Sequence, residues 1–280
     1  LKKLKIMSEE NSSSVGTLIG VAVIAGLIGY FVGKPNPTQE EANNSPSDQN
    51  SSTKLEKNPP VNIPMGDGLV AYYPFNGDAK DASGNGNNGF VIGATLSQDR
   101  NGEIDSAYSF DGSDRILVGD NPNLRLQKLS VNVWAKMAPD HASRHQWPTV
   151  LTKRINYHRA PYSSWGLGTG PPSSPEYWTV ASEDMKSKEK IGLGKWQMLT
   201  LIIEKGYRAF YLNGEMQNEK RDSDESGKDI IYSDLPLFIG FAGFHDTHWV
   251  GSIDDVRIYN RALSAEEVKA LYDLETPKAK

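Results

Sequence analysis

A chain of 280 residues is long enough for one large β domain or two smaller ones. Its 38% hydrophobic and 23% charged content are ordinary for a folded protein, and a formal net charge of -5 excludes a nucleic-acid binder held by a general positive field. With no cysteine, disulfides, thiolate metal sites and cysteine nucleophiles are excluded, so any metal must be held by oxygen or histidine.

The first element in chain order is apolar. Asn11 to Gly33 carries no charged residue, and from Val15 onward it is almost wholly Val, Ile, Leu, Ala, Gly, Tyr and Phe. That is long enough to span a bilayer, which needs roughly 20 residues. A buried core helix is disfavoured because a tail of Pro, Asn, Ser and Gln follows it. A cleaved signal peptide, with a shorter apolar region ending at a small-x-small site, is the closer rival, but no convincing cleavage site follows Gly33. Residues 1–34 are therefore predicted to be an N-terminal tail and a single transmembrane helix, an uncleaved signal anchor inserted through residues 15–33. Lys2, Lys3 and Lys5 outnumber the nearby Lys34, which favours an inside N-terminus and an extracytoplasmic remainder, at the cell surface or in the periplasm. Ala22, Gly26, Gly29 and Gly33 lie within roughly 60° of one another at the helical period, a face that suits weak homodimerisation. Residues 35–64, rich in Pro, Asn, Ser, Gln, Glu and Lys, cannot bury enough surface to offset ordering and read as a disordered linker.

After Met65 the pattern changes to short alternating apolar runs broken by Gly, Asn and Asp, the signature of half-buried strands and turns. Strands are predicted at 69–75, 89–92, 107–110, 115–118, 129–136 and 149–153, and again at 177–181, 196–204, 208–212, 237–240 and 252–259. Asn213-Gly214 is a strong two-residue hairpin turn. The one clear helix starts at Ser264, where Ser264-Ala265-Glu266-Glu267 makes a capping box and Val268, Leu271 and Tyr272 form the apolar stripe. So many strands with one helix argue for an all-β, two-sheet antiparallel sandwich closed by a short C-terminal helix. Its domain is placed at residues 65–275, with 276–280 as a tail.

Several segments together resemble the laminin-G-like jelly roll of the concanavalin A-like lectin/glucanase superfamily. Gly68 to Phe75 looks like its opening strand and Asp81 to Gly89, D-A-S-G-N-G-N-N-G, like its next loop. Ala107 to Gly112 matches the turn A-x-x-F-D-G, Leu129 to Lys136 resembles the aromatic central strand, and Gly251 to Leu263 matches the closing signature nearly throughout. The resemblance runs from Gly68 to about Tyr272 and implies a jelly-roll sandwich. It departs at Trp196 to Thr200 and in the stretch 139–175, so no ligand identity carries over.

Three chemistries are open to these residues. Asp81, Ser83 and Asn85, followed by Gly86 and Asn88, space side-chain oxygens as a loop around one hard cation does, but a bidentate glutamate is missing. The resemblance implies that Asp254 supplies the remaining charge. Strand alternation adds that Asp254 shares the core-facing side with Val256 and Ile258, where a carboxylate needs a cation or several donors. A structural Ca2+ is expected on Asp81, Ser83, Asn85, Asn88 and Asp254; the alternative is a plain turn, with Asp254 paired to an arginine.

The second chemistry is binding. Arg144, His145, Trp147, Lys153, Arg154, Tyr157, His158, Arg159, Tyr162 and Trp165 interleave aromatic faces with cationic donors, which suits sugar rings or anionic chains. The expected ligand residues are Arg144, His145, Trp147, Arg154, Tyr157, His158, Tyr162 and Trp165, with a core role as the alternative for about half of them.

The third chemistry, catalysis, finds little support. Glu103-Ile104-Asp105 superficially offers the alternating carboxylates of β-glucanases, but Tyr108 stands where an acid/base glutamate is needed. Asp222, Asp224 and Glu225 sit in a polar loop with nothing to raise a pKa. His245-Asp246-Thr247-His248 reads better as a hairpin tip than as a metal site. The expectation is a membrane-anchored binding module for a carbohydrate or protein ligand and not an enzyme, with a glycan-active enzyme or a structural envelope protein as alternatives.

Overall fold

The computed structural model describes residues 66–140, 147–154, 164–170, 177–179, 185, 187–221, 229–230, 232, 234–242 and 247–277; Arg154, Ser164 and 177–179 are described in their backbone only. All of these belong to the compact unit Pro59–Lys280. The predicted membrane span and linker lie outside the described residues. Among the described residues no helix is long and apolar enough to cross a membrane.

The strands are β1 (Leu69–Tyr73), β2 (Gly89–Ile92), β3 (Thr95–Ser97), β4 (Ala107–Asp111), β5 (Arg115–Val118), β6 (Leu129–Met137), β7 (Thr149–Arg154), β8 (Ser164–Thr169), β9 (Tyr177–Thr179), β10 (Trp196–Glu204), β11 (Tyr207–Leu212), β12 (Glu215–Arg221), β13 (Leu237–Ile239) and β14 (Val250–Tyr259), followed by helix α1 (Ala265–Glu275). They form an eight-stranded sheet in the order β12-β11-β10-β6-β14-β4-β3, with β1 also on β14, and a six-stranded sheet in the order β2-β5-β13-β7-β8-β9. All pairings are antiparallel. The chain crosses repeatedly between sheets, as in the two-sheet jelly roll that the sequence predicts.

Alternation along the strands builds the core. In β6, Leu129, Val131, Val133, Ala135 and Met137 join Phe110, Ile116, Leu151, Trp165, Leu167, Leu201, Ile239, Trp249 and Ile253 between the sheets, all nearly inaccessible to water. The opposite side of β6 is buried as well. There Trp134, with Met198, Ile202, Tyr211 and Tyr259, packs under Val268 and Leu271 of α1. The helix is thus a second layer on the outer face of the larger sheet. The Ser264 Oγ accepts from the Glu267 amide, and the Glu267 carboxylate accepts from the Ser264 amide at 2.7 Å, completing the capping box. Arg261 then clamps Glu267 through both carboxylate oxygens at 2.8 Å, and this hydrogen bonding holds the Glu267 carboxyl below its usual range.

Asn213 (φ 52°) and Gly214 (φ 79°) make the predicted turn between β11 and β12, both in the left-handed region that a tight hairpin of this kind requires. Three strands lie outside the predicted set. β8 carries two glycines, β12 is a charged edge strand, and β3 is only three residues long. β12 and β3 lack the alternating apolar signal of a half-buried strand, and in β8 that signal is carried by Trp165 and Leu167 alone.

Candidate ligand-binding surface

The loop after β1 is a clasp on that strand's edge. The Asp81 carboxylate accepts three backbone N–H groups, from Tyr72 at 3.0 Å and from Ser83 and Asn87 at 2.9 Å. The Ser83 hydroxyl and the Asn85 and Asn87 side-chain amides all donate to the Val70 carbonyl at 3.0 Å. The Asn88 Oδ1 accepts from the Asp81 amide at 3.0 Å. These bonds satisfy the edge of a buried strand, which is reason enough for an Asp/Asn/Ser-rich loop here. Of the expected calcium set, Asp81, Ser83, Asn85 and Asn88 are thus each engaged in hydrogen bonds within this clasp, Asp81 being the one carboxylate among the four. Among the described residues no three His, Asp or Glu side chains are grouped so as to hold a metal.

Asp254 is placed on the other side of its strand from the expected one. A bulge interrupts the β14 pairing between Asp254 and Arg257, with Asp255 at φ 46°. The extra residue shifts the alternation, so Ile253, Val256 and Ile258 enter the inter-sheet core while Asp254 turns toward the helix side. There Arg100 Nη1 lies 2.7 Å from Asp254 Oδ2 and 2.7 Å from Asp255 Oδ2, and Arg257 Nη1 lies 2.7 Å from Glu275 Oε1. Trp134 Nε1 donates to Glu275 at 2.7 Å, Tyr72 donates to Asp255 at 2.6 Å, and Arg100 Nε donates to the Glu275 carbonyl at 2.8 Å. The arginine pairing left open by the sequence is the one present. Three carboxylates face two guanidiniums with little exposure. Burial, then repulsion from Asp255, pushes the Asp254 carboxyl up to about 8 despite Arg100, and burial likewise raises Glu275. A cavity of about 370 Å3, lined by Tyr72, Arg100, Asp255, Arg257 and Glu275 among others, adjoins this cluster. The cluster ties β14, β1, β6 and the loop carrying Arg100 to the end of α1.

The expected ligand segment divides. Arg144, His145, Tyr157, His158 and Tyr162 lie outside the described residues, and for Arg154 only the backbone is described. Trp165 is fully buried in the inter-sheet core and presents nothing to solvent, which corrects its place among the ligand residues. Lys153 is also buried; its ammonium donates to Asp120 at 2.7 Å and to the Leu235 carbonyl at 2.8 Å, and burial lowers its pKa. Trp147 is 42% exposed. Glu103 and Asp105 lie in the turn between β3 and β4, not on a strand.

A surface that the sequence reading passed over lies on the outer face of the smaller sheet. Phe90, Leu117 and Phe238 are directly opposite one another across β2, β5 and β13. Each sits between residues that point inward, so it must point away from the core. Phe90 is 59% exposed. With strands roughly 4.8 Å apart, the row extends for roughly 10 Å. At its flank Phe241 packs edge-on to Phe238 at 5.5 Å, His248 lies over Phe241 at 4.5 Å, and the Arg115 guanidinium sits 5.6 Å from the Phe241 ring. Trp147 lies two residues before Thr149, whose amide donates to the Thr247 carbonyl at 3.0 Å. The sequence signal was available: Phe90-Val91-Ile92, Ile116-Leu117-Val118 and Leu237-Phe238-Ile239 are apolar on both faces, more than a half-buried strand requires.

A family model described as the concanavalin A-like lectin/glucanases superfamily matches residues 110–269. Domain 4 of AbnA, an extracellular arabinanase from Geobacillus stearothermophilus solved with arabinotriose, is similar at 21% identity and a TM-score of 0.54, over 73% of this chain and 98% of that one. The receptor-binding domain of botulinum neurotoxin C/D mosaic serotype is similar at 20% identity and a TM-score of 0.57, over 75% of this chain and 52% of that one. The binding domain of Paraclostridial Mosquitocidal Protein 1 is similar at 16% identity and a TM-score of 0.56, again covering 75% and 52%. The chain thus spans about half the length of these toxin structures, and at such identities the likeness concerns the fold. No curated protein matches the chain. With the family model covering more than half of its residues, the chain belongs to the concanavalin A-like lectin/glucanases superfamily.

Proposed function

We infer that this protein is a non-catalytic, carbohydrate-binding module displayed outside a membrane by the apolar segment 15–33. The carrying observation is the row Phe90, Leu117 and Phe238, exposed at Phe90 and half-buried at the other two, with Phe241 and Arg115 at its flank, since aromatic faces beside polar donors suit the apolar faces and hydroxyls of sugars. The arabinanase domain solved with arabinotriose and the toxin receptor-binding domains support a ligand-holding role for such a sandwich by analogy of fold. The non-catalytic reading is supported by the engagement of Asp254, Asp255 and Glu275 with arginines and by the turn position of Glu103 and Asp105. Display through the anchor rests on the length and lack of charge of the span.

A glycan array probed with the intact chain in detergent tests this. We expect retention on a defined set of saccharides, lost on Phe90→Ala with the fold intact. Capture of a protein partner by this face, with no saccharide retained, would replace the carbohydrate reading.

A further inference from the structure

The charge at the flank of this face narrows the ligand. Arg100, Arg125, Arg221, Arg257 and Arg261 each lie within 4.0 Å of a carboxylate. Arg115 has no carboxylate partner among the described residues, and its guanidinium rests instead against Phe241. No ion pair joins it to either acidic neighbour in sequence. Asp114 is buried and accepts from the Asp111 amide at 2.8 Å, and Asp111 Oδ1 accepts from the Ser113 amide and hydroxyl at 2.8 Å. Arg115 shares the outward side of β5 with Leu117, and is directly opposite Ile92 where Leu117 is opposite Phe90. Half-buried Arg115 thereby stands beside Ile92 and Leu117 on this face, with its guanidinium against Phe241. Such a group attracts an anion more strongly than one in open water, and its planar fork matches a carboxylate with two parallel N–H donors.

Resting on the carbohydrate reading above, we propose that this face selects an acidic saccharide, with Arg115 taking the carboxylate of a uronate residue while Phe90 and Phe238 carry the neighbouring sugar rings. A neutral chain meets the same aromatic row but leaves the guanidinium unpaired under the ligand, which is the costly state for a half-buried charge. The acid group therefore sets specificity, and the aromatics set affinity common to both.

The test is binding of the intact chain in detergent to polygalacturonate, alginate and hyaluronate, each compared with its fully methyl-esterified form, which keeps the backbone and removes the charge. At least one acidic polymer should bind tenfold or more tightly than its ester, and added salt should weaken that preference. Arg115→Gln should abolish the preference, the acid then binding no more tightly than its ester, Arg115→Lys should restore part of it, and Phe90→Ala should weaken both forms. Equal binding of acid and ester, or a preference that survives Arg115→Gln, overturns the acidic class and leaves the carbohydrate reading standing. Failure of all three acidic polymers while a neutral saccharide binds also overturns it. Failure of every saccharide overturns the carbohydrate reading itself.

Discussion

Replacing Asp254 by asparagine should change how stability depends on pH more than it changes stability itself. The Asp254 carboxyl is pushed from 3.8 to about 8 by burial and by Asp255, against the pull of Arg100. A carboxyl whose pKa is raised on folding binds its proton more tightly in the native state. Its effect is absent below the unfolded value near 4; stability then falls as pH rises toward 8 and levels off above that. At ~1.4 kcal/mol per pH unit the whole span amounts to an upper limit of about 6 kcal/mol. Water entering from the adjoining cavity reduces this, so a loss of about 2 kcal/mol or more is expected between pH 5 and pH 8.5. For a domain of this size that is a fall of roughly 4–8 °C in Tm. Asp254→Asn removes the ionisation, while Arg100 keeps Asp255 at 2.7 Å and the Glu275 carbonyl at 2.8 Å. The variant should therefore match the parent near pH 5 and exceed it near pH 8.5, measured by thermal unfolding across that range. Parallel curves for parent and variant would refute the account of a buried cluster with one carboxylate in excess.

Asp81→Ala leaves three backbone N–H groups of the β1 clasp without their carboxylate acceptor and should cost about 3 kcal/mol at ~1 kcal/mol per hydrogen bond. With Asp81 engaged by three amide donors, the melting temperature of the parent is expected to be unchanged by calcium or a chelator; a chelator-sensitive melt that Asp81→Ala abolishes would restore the calcium site. Trp165→Ala should destabilise by about 3–5 kcal/mol as a core truncation, read by denaturant unfolding, whereas a loss of saccharide binding at full stability would return Trp165 to the ligand surface. After cell breakage the chain should sediment with membranes until detergent is added, and its recovery in the soluble fraction would remove the anchor.

Local rules made the fold legible. Asn213-Gly214 fixed a hairpin, Ser264 with Glu267 fixed a helix start, and the alternation of β6 and β10 fixed the two central strands, because each signal is complete within a few residues. The site was less legible, for two physical reasons. One inserted residue at Asp254-Asp255 reverses which side of β14 faces the core, and strict alternation does not register a bulge. Partners far apart in sequence gave no local signal: Arg100 meets Asp254 from 154 positions away, and Phe90, Leu117 and Phe238 become one row only through the order β2-β5-β13. The basic aromatic stretch attracted attention by composition, yet composition does not separate the buried Trp165 and Lys153 from the exposed Trp147.

The claim that the outer face of the smaller sheet is the ligand surface is tested most directly by saccharide affinity, measured by titration calorimetry on the best array ligand, for Phe90→Ala beside Leu274→Ala. Both residues are exposed to a similar degree, 59% and 57%, but Leu274 lies on α1, across the other sheet. The account predicts that Phe90→Ala weakens binding tenfold or more, in line with about 1.4 kcal/mol or more for a ring at a binding centre, while Leu274→Ala leaves it unchanged. Equal affinities for parent and Phe90→Ala, with both proteins folded, would contradict it.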